Sequence, residues 1–230
     1  MAIQLNTAYT GRINDIIYYE RLGDYLLRTV PMQATNSIRS ASAFGKAASA
    51  ARKLRVLLAP LIPNPRDKAM QNRLTVAVRQ FLATAENGSV TDLQNNPLAG
   101  FSFAADTALR ASLLFPLDIV ETAEGTISIG IPAINPLAAI TAPAGTTRVV
   151  LSFISVTIHP DNELAFASSP VLLEIPYADG VLDSQTLELD SGSMPGGISV
   201  VAVSVSYWDA ASLINAAGIK SGEILFAVSS

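Results

Sequence analysis

The chain of 230 residues contains no cysteine and a single histidine. The absence of cysteine excludes disulfide bonds, thiolate metal sites and cysteine nucleophiles. One histidine cannot supply the imidazole ligands of the usual zinc sites, and His159 lies in His-Pro-Asp-Asn, a composition typical of a turn between strands. No G-x-S-x-G nucleophile motif is present either. The sequence therefore predicts a protein that is not an enzyme, with no catalytic residue, metal site or cofactor.

Charge is also scarce, because only 15% of the residues are charged and 50% are hydrophobic. Soluble domains usually carry about 25% charged residues. A chain this poor in charge predicts that part of its surface is buried against other copies, although a neutral surface of Ser, Thr, Asn and Gly is the alternative.

Long apolar runs and a recognisable secretory signal are missing as well. No stretch approaches the roughly 20 apolar residues of a membrane span. The first residues lack a basic region, an apolar region and a small-residue cleavage site. We therefore expect no membrane span and synthesis in the cytoplasm. The final location stays open, and the candidates include the extracellular space and a virus particle.

The charges that are present are divided between two parts of the chain. Residues 1–80 carry twelve Lys or Arg against four Asp or Glu, a net charge of +8, whereas residues 81–230 carry three against fifteen, a net charge of −12. Such a division is typical of a basic face for an anionic partner, of two differently built domains, or of subunits that stack through opposite ends.

Residues 1–97 are predicted to be a basic region of one β-hairpin and two helices. Two β-rich runs in 11–31 flank the turn Arg21-Leu22-Gly23-Asp24, which predicts a hairpin. Ala-rich residues 37–58 and residues 66–85 predict two helices, joined by a proline-rich connector. Each helix is predicted to carry a stripe of mostly apolar residues: Ala41, Phe44, Ala48, Ala51, Arg55 and Leu58 at 3–4 spacing on the first, with Leu54 and Leu57 beside them, and Met70, Leu74, Val78, Phe81 and Leu82 on the second.

Residues 98–230 are predicted to be an acidic all-β domain. Short β-rich runs are separated by Gly, Pro, Asn and Asp at the spacing of a β-sandwich. These runs are 101–120, 125–134, 147–158, 171–177, 185–191, 197–208 and 223–230. Residues 198–208 alternate as a half-buried strand does. The predicted fold class is α+β, with the hairpin and helical hairpin followed by an immunoglobulin-like or jelly-roll sandwich.

The same segments supply candidate interface residues. A basic helical pair that docks on an acidic β-surface, in the same chain or a neighbouring one, would use both halves of the charge division. Nucleic acid is a possible but less favoured partner, because the basic residues are spread around the helices and the acidic domain would repel a polyanion. The acidic cluster fits a calcium loop only loosely and is better explained as a solvated loop and strand face. The interface candidates are Arg12, Tyr18, Arg21, Arg28, Arg39, Lys46, Arg52, Lys53, Arg55, Asp179, Asp183, Glu188 and Asp190.

The segment 11–31 contains Gly11, Tyr18, Arg21, Gly23, Arg28 and Pro31, and a helix with Ser-Ala-Phe-Gly-Lys-Ala follows it. This N-terminal layout resembles a group of uncharacterised proteins of Bacteroidota and their phages. These begin with a Gly-Tyr-Arg-Gly-Arg-Pro hairpin, continue with an Ala- and Phe-containing helix, and end in a β-rich domain. The resemblance implies a structural or surface-assembly protein and no known enzyme.

These observations favour a structural subunit that assembles with copies of itself as a filament, a tube or a virion component. Strand addition at a sheet edge and basic-to-acidic contacts are the expected interfaces. Two alternatives stay open: a β-sandwich module that binds a carbohydrate or protein ligand, and a nucleic-acid-associated protein. Tyr207 and Trp208 could stack on sugars, but core packing at a strand end is the favoured role for both.

Overall fold

The computed structural model describes residues 2–3, 9–30, 35–64, 67–85, 96–105, 108–122, 125–192, 194–214 and 221–229. Over these residues the chain has four helices and three antiparallel sheets, so the predicted α+β class with a β-rich body is confirmed. Two compact units are present, Met1–Ser42 and Ala43–Ser230. The first helix runs from one unit into the other.

The first unit is built on a four-stranded sheet of β1 (Ala2–Ile3), β2 (Gly11–Ile13), β3 (Ile16–Arg21) and β4 (Asp24–Thr29). The order of the strands in the sheet is β1-β4-β3-β2. Leu22 and Gly23 connect β3 to β4 with φ of 56° and 87°. Two successive positive φ values are the geometry of a type I′ turn, so the predicted hairpin is confirmed together with its turn.

The two predicted helices are confirmed as α1 (Thr35–Leu57) and α2 (Lys68–Ala85). On α2 the predicted stripe is buried, apart from Leu82, which is partly buried. On α1 the predicted stripe is confirmed at Ala51, Leu54 and Leu58, which are buried. It is wrong at its N-terminal end, where Phe44 is 52% exposed and Ala41 is exposed. Alanine contributes little apolar area, so the 3–4 spacing of an Ala-rich helix is compatible with burial of either of two neighbouring faces. The face that is buried consists of Ala47, Ala50, Ala51, Leu54 and Leu58.

The second unit also contains nine strands and two short helices in its described residues. These elements are β5 (Phe101–Ser102), α3 (Leu109–Ser112), β6 (Asp118–Glu121), β7 (Thr126–Ile131), α4 (Pro136–Ala139), β8 (Arg148–Ile158), β9 (Ala165–Ala167), β10 (Val171–Pro176), β11 (Gln185–Asp190), β12 (Ile198–Trp208) and β13 (Gly222–Ser229). Six strands form one sheet of order β10-β8-β12-β13-β5, in which β9 also pairs with β8. The other three form a sheet of order β11-β7-β6.

Both faces of the six-stranded sheet are covered along the inner strands. Ile154 and Val156 of β8 belong to a helix-side core, defined as the buried cluster shared by α1, α2 and this sheet. Leu151 and Phe153 belong to an inter-sheet core, defined as the buried cluster shared by the two sheets. Residues 198–203 of β12 are therefore buried without interruption. The predicted half-buried alternation is wrong here, because a strand covered on both faces needs apolar residues on both.

Two differences from the predicted strands have local causes. The run 101–120, expected to be β-rich throughout, contains the short strand β5, helix α3 and strand β6. Strand β9 was not predicted, since three residues give too short a pattern.

The division between the compact units also lies elsewhere than the predicted 97/98 boundary. Buried residues of α1 and α2 share one core with β8, β12 and β13, which places both helices in the second unit from Ala43 onward.

Candidate interface surfaces

The strands β2, β3 and β4 of the N-terminal sheet have apolar side chains on both faces, and none of their residues is buried. Every residue from 9 to 30 is exposed or half-buried. Directly paired residues of antiparallel strands lie on the same face, so the strand register defines two surfaces. The tyrosine face is Gly11, Ile13, Ile16, Tyr18, Glu20, Tyr25, Leu27 and Thr29. The arginine face is Arg12, Ile17, Tyr19, Arg21, Asp24, Leu26 and Arg28.

An aromatic pair organises the tyrosine face. The rings of Tyr9 and Tyr18 lie edge to face, with centroids 5.4 Å apart and planes at 78°. Gly11 has a φ of 146°, and a Cβ added to it would lie 2.7 Å from the Tyr9 hydroxyl. A glycine at this position therefore serves both the backbone conformation and the close approach of the tyrosine ring.

The arginine face brings together three predicted interface residues from three strands. Arg12 and Arg28 flank Ile17 in the register, and the Arg28 guanidinium lies 5.6 Å from the centroid of the Tyr19 ring. Arg12 Nε donates a hydrogen bond to the Asn14 carbonyl oxygen at 2.9 Å. All three arginines of this face are exposed, so the surface combines positive charge with an aromatic centre.

The hairpin tip carries a residue that the sequence prediction missed. Leu22 is 96% exposed and has a positive φ of 56°. Bulky side chains rarely adopt that conformation, and Asn or Gly is preferred at the first central position of a type I′ turn. The signal was present in the sequence as a leucine directly before the turn glycine.

The basic residues of α1 fall into two groups. Lys46 Nζ lies 3.0 Å from Asp161 Oδ1, and Lys53 Nζ donates to the carbonyl oxygens of His159, at 3.1 Å, and of Asn162. These two lysines hold α1 against the turn between β8 and β9 of the same chain. The other predicted interface residues of α1 remain at the surface, with Arg39 and Arg52 exposed and Arg55 half-buried.

The four predicted acidic residues are all exposed. Asp179 and Asp183 lie in the loop between β10 and β11, and Glu188 and Asp190 lie on the outward face of β11, where Leu189 between them is buried. The Asn135 side-chain amide donates to Asp179 Oδ1 at 3.0 Å. In the part of the chain that the structure describes, no three acidic or histidine side chains are grouped to hold a metal ion. A solvated loop and strand face is the arrangement predicted, and it is confirmed.

The aromatic pair at the end of β12 is divided between core and surface. Tyr207 is buried, and its hydroxyl donates to the Thr141 carbonyl oxygen at 3.1 Å. Burial raises the pKa of Tyr207. Trp208 is half-buried, and the Arg148 guanidinium lies 5.1 Å from its ring centroid. Core packing is confirmed for Tyr207, whereas Trp208 is stacked with an arginine at the surface.

His159 occupies the turn that was predicted for it. It follows the last residue of β8, and its Nδ1 accepts a hydrogen bond from the Asp161 backbone N–H at 3.1 Å. Its backbone N–H donates to the Leu164 carbonyl oxygen, which closes the turn.

None of the described helices is both long enough and apolar enough to cross a membrane. Comparison with family models, with curated proteins and with solved structures found no match to this chain. The resemblance to Bacteroidota and phage proteins stays a prediction.

Proposed function

We propose that this protein is a non-enzymatic structural subunit that self-assembles into a filament, a tube or a virion-like particle. The observation that supports this proposal is the N-terminal sheet, which carries apolar side chains on two faces and buries none of residues 9–30. A sheet stabilises itself by burying at least one face against another layer. The N-terminal sheet is therefore a surface that another molecule completes.

A second copy of the chain is the partner we favour. The tyrosine face has an apolar and aromatic centre, with the exposed Glu20 beside Tyr25. The centre can pack on the same face of another copy in a two-fold contact. The arginine face is complementary in charge to the exposed carboxylates of Asp179 and Asp183, in the loop between β10 and β11, and of Glu188 and Asp190 on β11. A contact between these unlike surfaces on neighbouring copies repeats without closing unless the rotation forms a ring. One contact of each kind would extend the assembly.

The hairpin tip supports an interface role independently. Asn at position 22 would suit the turn better than Leu, so the leucine is costly to local stability. It is also 96% exposed, which gives it no packing role within the described part of the chain. A large apolar side chain kept at such a position is explained if it is buried in a contact between copies.

The test uses the purified protein and one substitution that separates folding from assembly. We expect Leu22→Asn to favour the turn while weakening self-association about tenfold, because about one apolar side chain is lost from the contact. Leu172→Asn is the matched control, since Leu172 is a 60% exposed leucine on β10. Sedimentation velocity at low and moderate salt, with negative-stain microscopy, measures the assembly.

Three results would contradict the proposal. The first is a monomer of 24.2 kDa at high protein concentration. The second is equal self-association of the Leu22→Asn and Leu172→Asn variants. The third is complete dissolution in moderate salt, because exposed ion pairs contribute little and apolar burial must supply the affinity.

A nucleic-acid-associated protein is the second candidate, and the arginine face favours it. Three exposed arginines surround an aromatic residue on one sheet face, and such surfaces bind single strands by charge and stacking. Replacing Arg12 and Arg28 by Gln would then lower the salt dependence of binding to a single-stranded oligonucleotide. Binding that is absent, or unaffected by both substitutions, would exclude this candidate.

For the β-rich body we propose a sandwich of immunoglobulin-like or jelly-roll type. The inter-sheet core and the antiparallel pairing throughout both sheets support this assignment. The angle between the strands of the two sheets, measured in an experimental structure, tests it.

A further inference from the structure

A cavity of about 680 Å³ lies in the second unit, next to edge strand β5. Its walls come from the residues just before β5, from α3 and the segment after it, and from β6 and β13. This volume falls within the range of about 300 to 1,000 Å³ found for small-molecule sites. The apolar walls include Leu109, Leu113, Phe115, Leu117, Ile119 and Leu225.

Two of the residues that line this cavity are charged, and they differ in exposure. Glu223 is 7% exposed and is the one charged residue among the described residues that are buried. Arg110 lines the same cavity and is exposed. The cavity therefore combines an apolar wall, a buried carboxylate and a guanidinium in contact with water.

The strand register places Glu223 on the inner face of its sheet. Glu223 pairs with Val203 of β12 and with Ser102 of edge strand β5. Val203 belongs to the inter-sheet core, and paired residues share a face. An apolar residue would be the ordinary choice at this position, because an incompletely paired buried carboxylate is costly.

The groups near Glu223 compensate its charge only in part. Burial raises the pKa of Glu223, and this effect exceeds the lowering by the Arg110 charge and by a hydrogen bond from the Leu109 backbone N–H. A cation placed in the cavity would supply the missing compensation. An anion would gain less, because Arg110 is already exposed to water.

We propose that this cavity binds an amphipathic cation, whose apolar body packs against the leucine-rich wall and whose primary ammonium group pairs with the Glu223 carboxylate. The inference does not depend on self-assembly, since every residue that lines the cavity lies in the second unit. The self-assembly proposal does not require a ligand in the β-rich body, so the two proposals can be tested separately.

Calorimetric titration with three eight-carbon probes tests this proposal at neutral pH. We expect n-octylamine to bind at least tenfold more tightly than n-octanol or n-octanoate. Shorter alkylamines should bind more weakly, by several-fold for every two methylene groups removed, because less apolar area is buried. Equal binding of octanoate and octylamine, or no saturable binding of octylamine, would overturn the proposal.

Two variants and a control identify the contact. Glu223→Gln should weaken octylamine binding at least tenfold, whereas Glu174→Gln should leave it unchanged, because Glu174 is exposed and paired with Arg148 at 3.0 Å. Arg110→Gln should preserve or tighten binding, since it removes a competing cation. The fluorescence of Trp208 checks that each variant is folded. Equal affinity of the Glu223→Gln and Glu174→Gln variants would refute the assignment of the carboxylate.

Discussion

The two compact units place their apolar residues in opposite ways. The unit Ala43–Ser230 has two hydrophobic cores, and Phe81 and Phe153 within them are fully buried. The unit Met1–Ser42 has no buried residue in the described ranges 9–30 and 37–42. Both units contain isoleucine, leucine and aromatic residues, so composition is not the cause. The second unit is therefore stabilised by internal packing, whereas the described part of the first unit leaves its apolar residues exposed or half-buried.

Backbone conformation follows the same division. In the second unit every described residue with a positive φ is a glycine. In the first unit, Asn14 and Leu22 also have a positive φ. Glycine adopts this conformation without steric cost, and leucine does not. The first unit therefore departs from local preference at the exposed tip to which we assign a contact.

The largest expected effect is the loss of stability on truncating a core residue of the second unit, compared with a residue of the N-terminal sheet. Phe81→Ala should lower the free energy of unfolding by about 3–5 kcal/mol, because it leaves a cavity in the helix-side core. Tyr18→Ala, on the half-buried tyrosine face, should cost about 1 kcal/mol or less. Urea unfolding of dilute protein, followed by circular dichroism, measures both. Equal costs would mean that the N-terminal sheet is packed as firmly as the core.

A smaller change in stability tests which face of α1 is buried. Ala50 is 0% exposed, so Ala50→Leu should cost about 1–3 kcal/mol through overpacking. Phe44→Ser, on the face first predicted to be buried, should change stability by about 0.5 kcal/mol or less. Thermal unfolding of the two variants distinguishes the faces, and the reverse order of stability would restore the original prediction.

The smallest expected effect concerns pH and the buried carboxylate. Because the folded state raises the pKa of Glu223, it binds the proton more tightly than the unfolded state does. Stability is therefore lost as pH rises from about 4.3, the ordinary glutamate value, through the folded pKa. Glu223→Gln should leave stability unchanged below pH 4 and raise it at pH 7. Lower stability of this variant at pH 7 would show that Arg110 overcompensates the burial.

Much of the local structure was predictable from patterns of a few residues. The turn at Leu22 and Gly23, the stripe of α2 and the runs that form β7, β8 and β10 follow from spacing and turn chemistry. The surface location of the acidic residues was predictable too. The contacts of Lys46 and Lys53 were not, because they depend on which turn of the β-rich body meets α1.

The α+β class, the hairpin, the helix pair and the absence of cysteine chemistry follow from the amino-acid sequence, because each depends on neighbouring residues or composition. The burial of residues 198–203 on both faces and the apolar cavity beside Glu223 follow from the fold, because they depend on pairing between strands far apart in the chain. The shared face of the three arginines depends on the register of two local strand pairs. Burial is a property of such pairing and packing, whereas turn and helix preferences are properties of the local backbone.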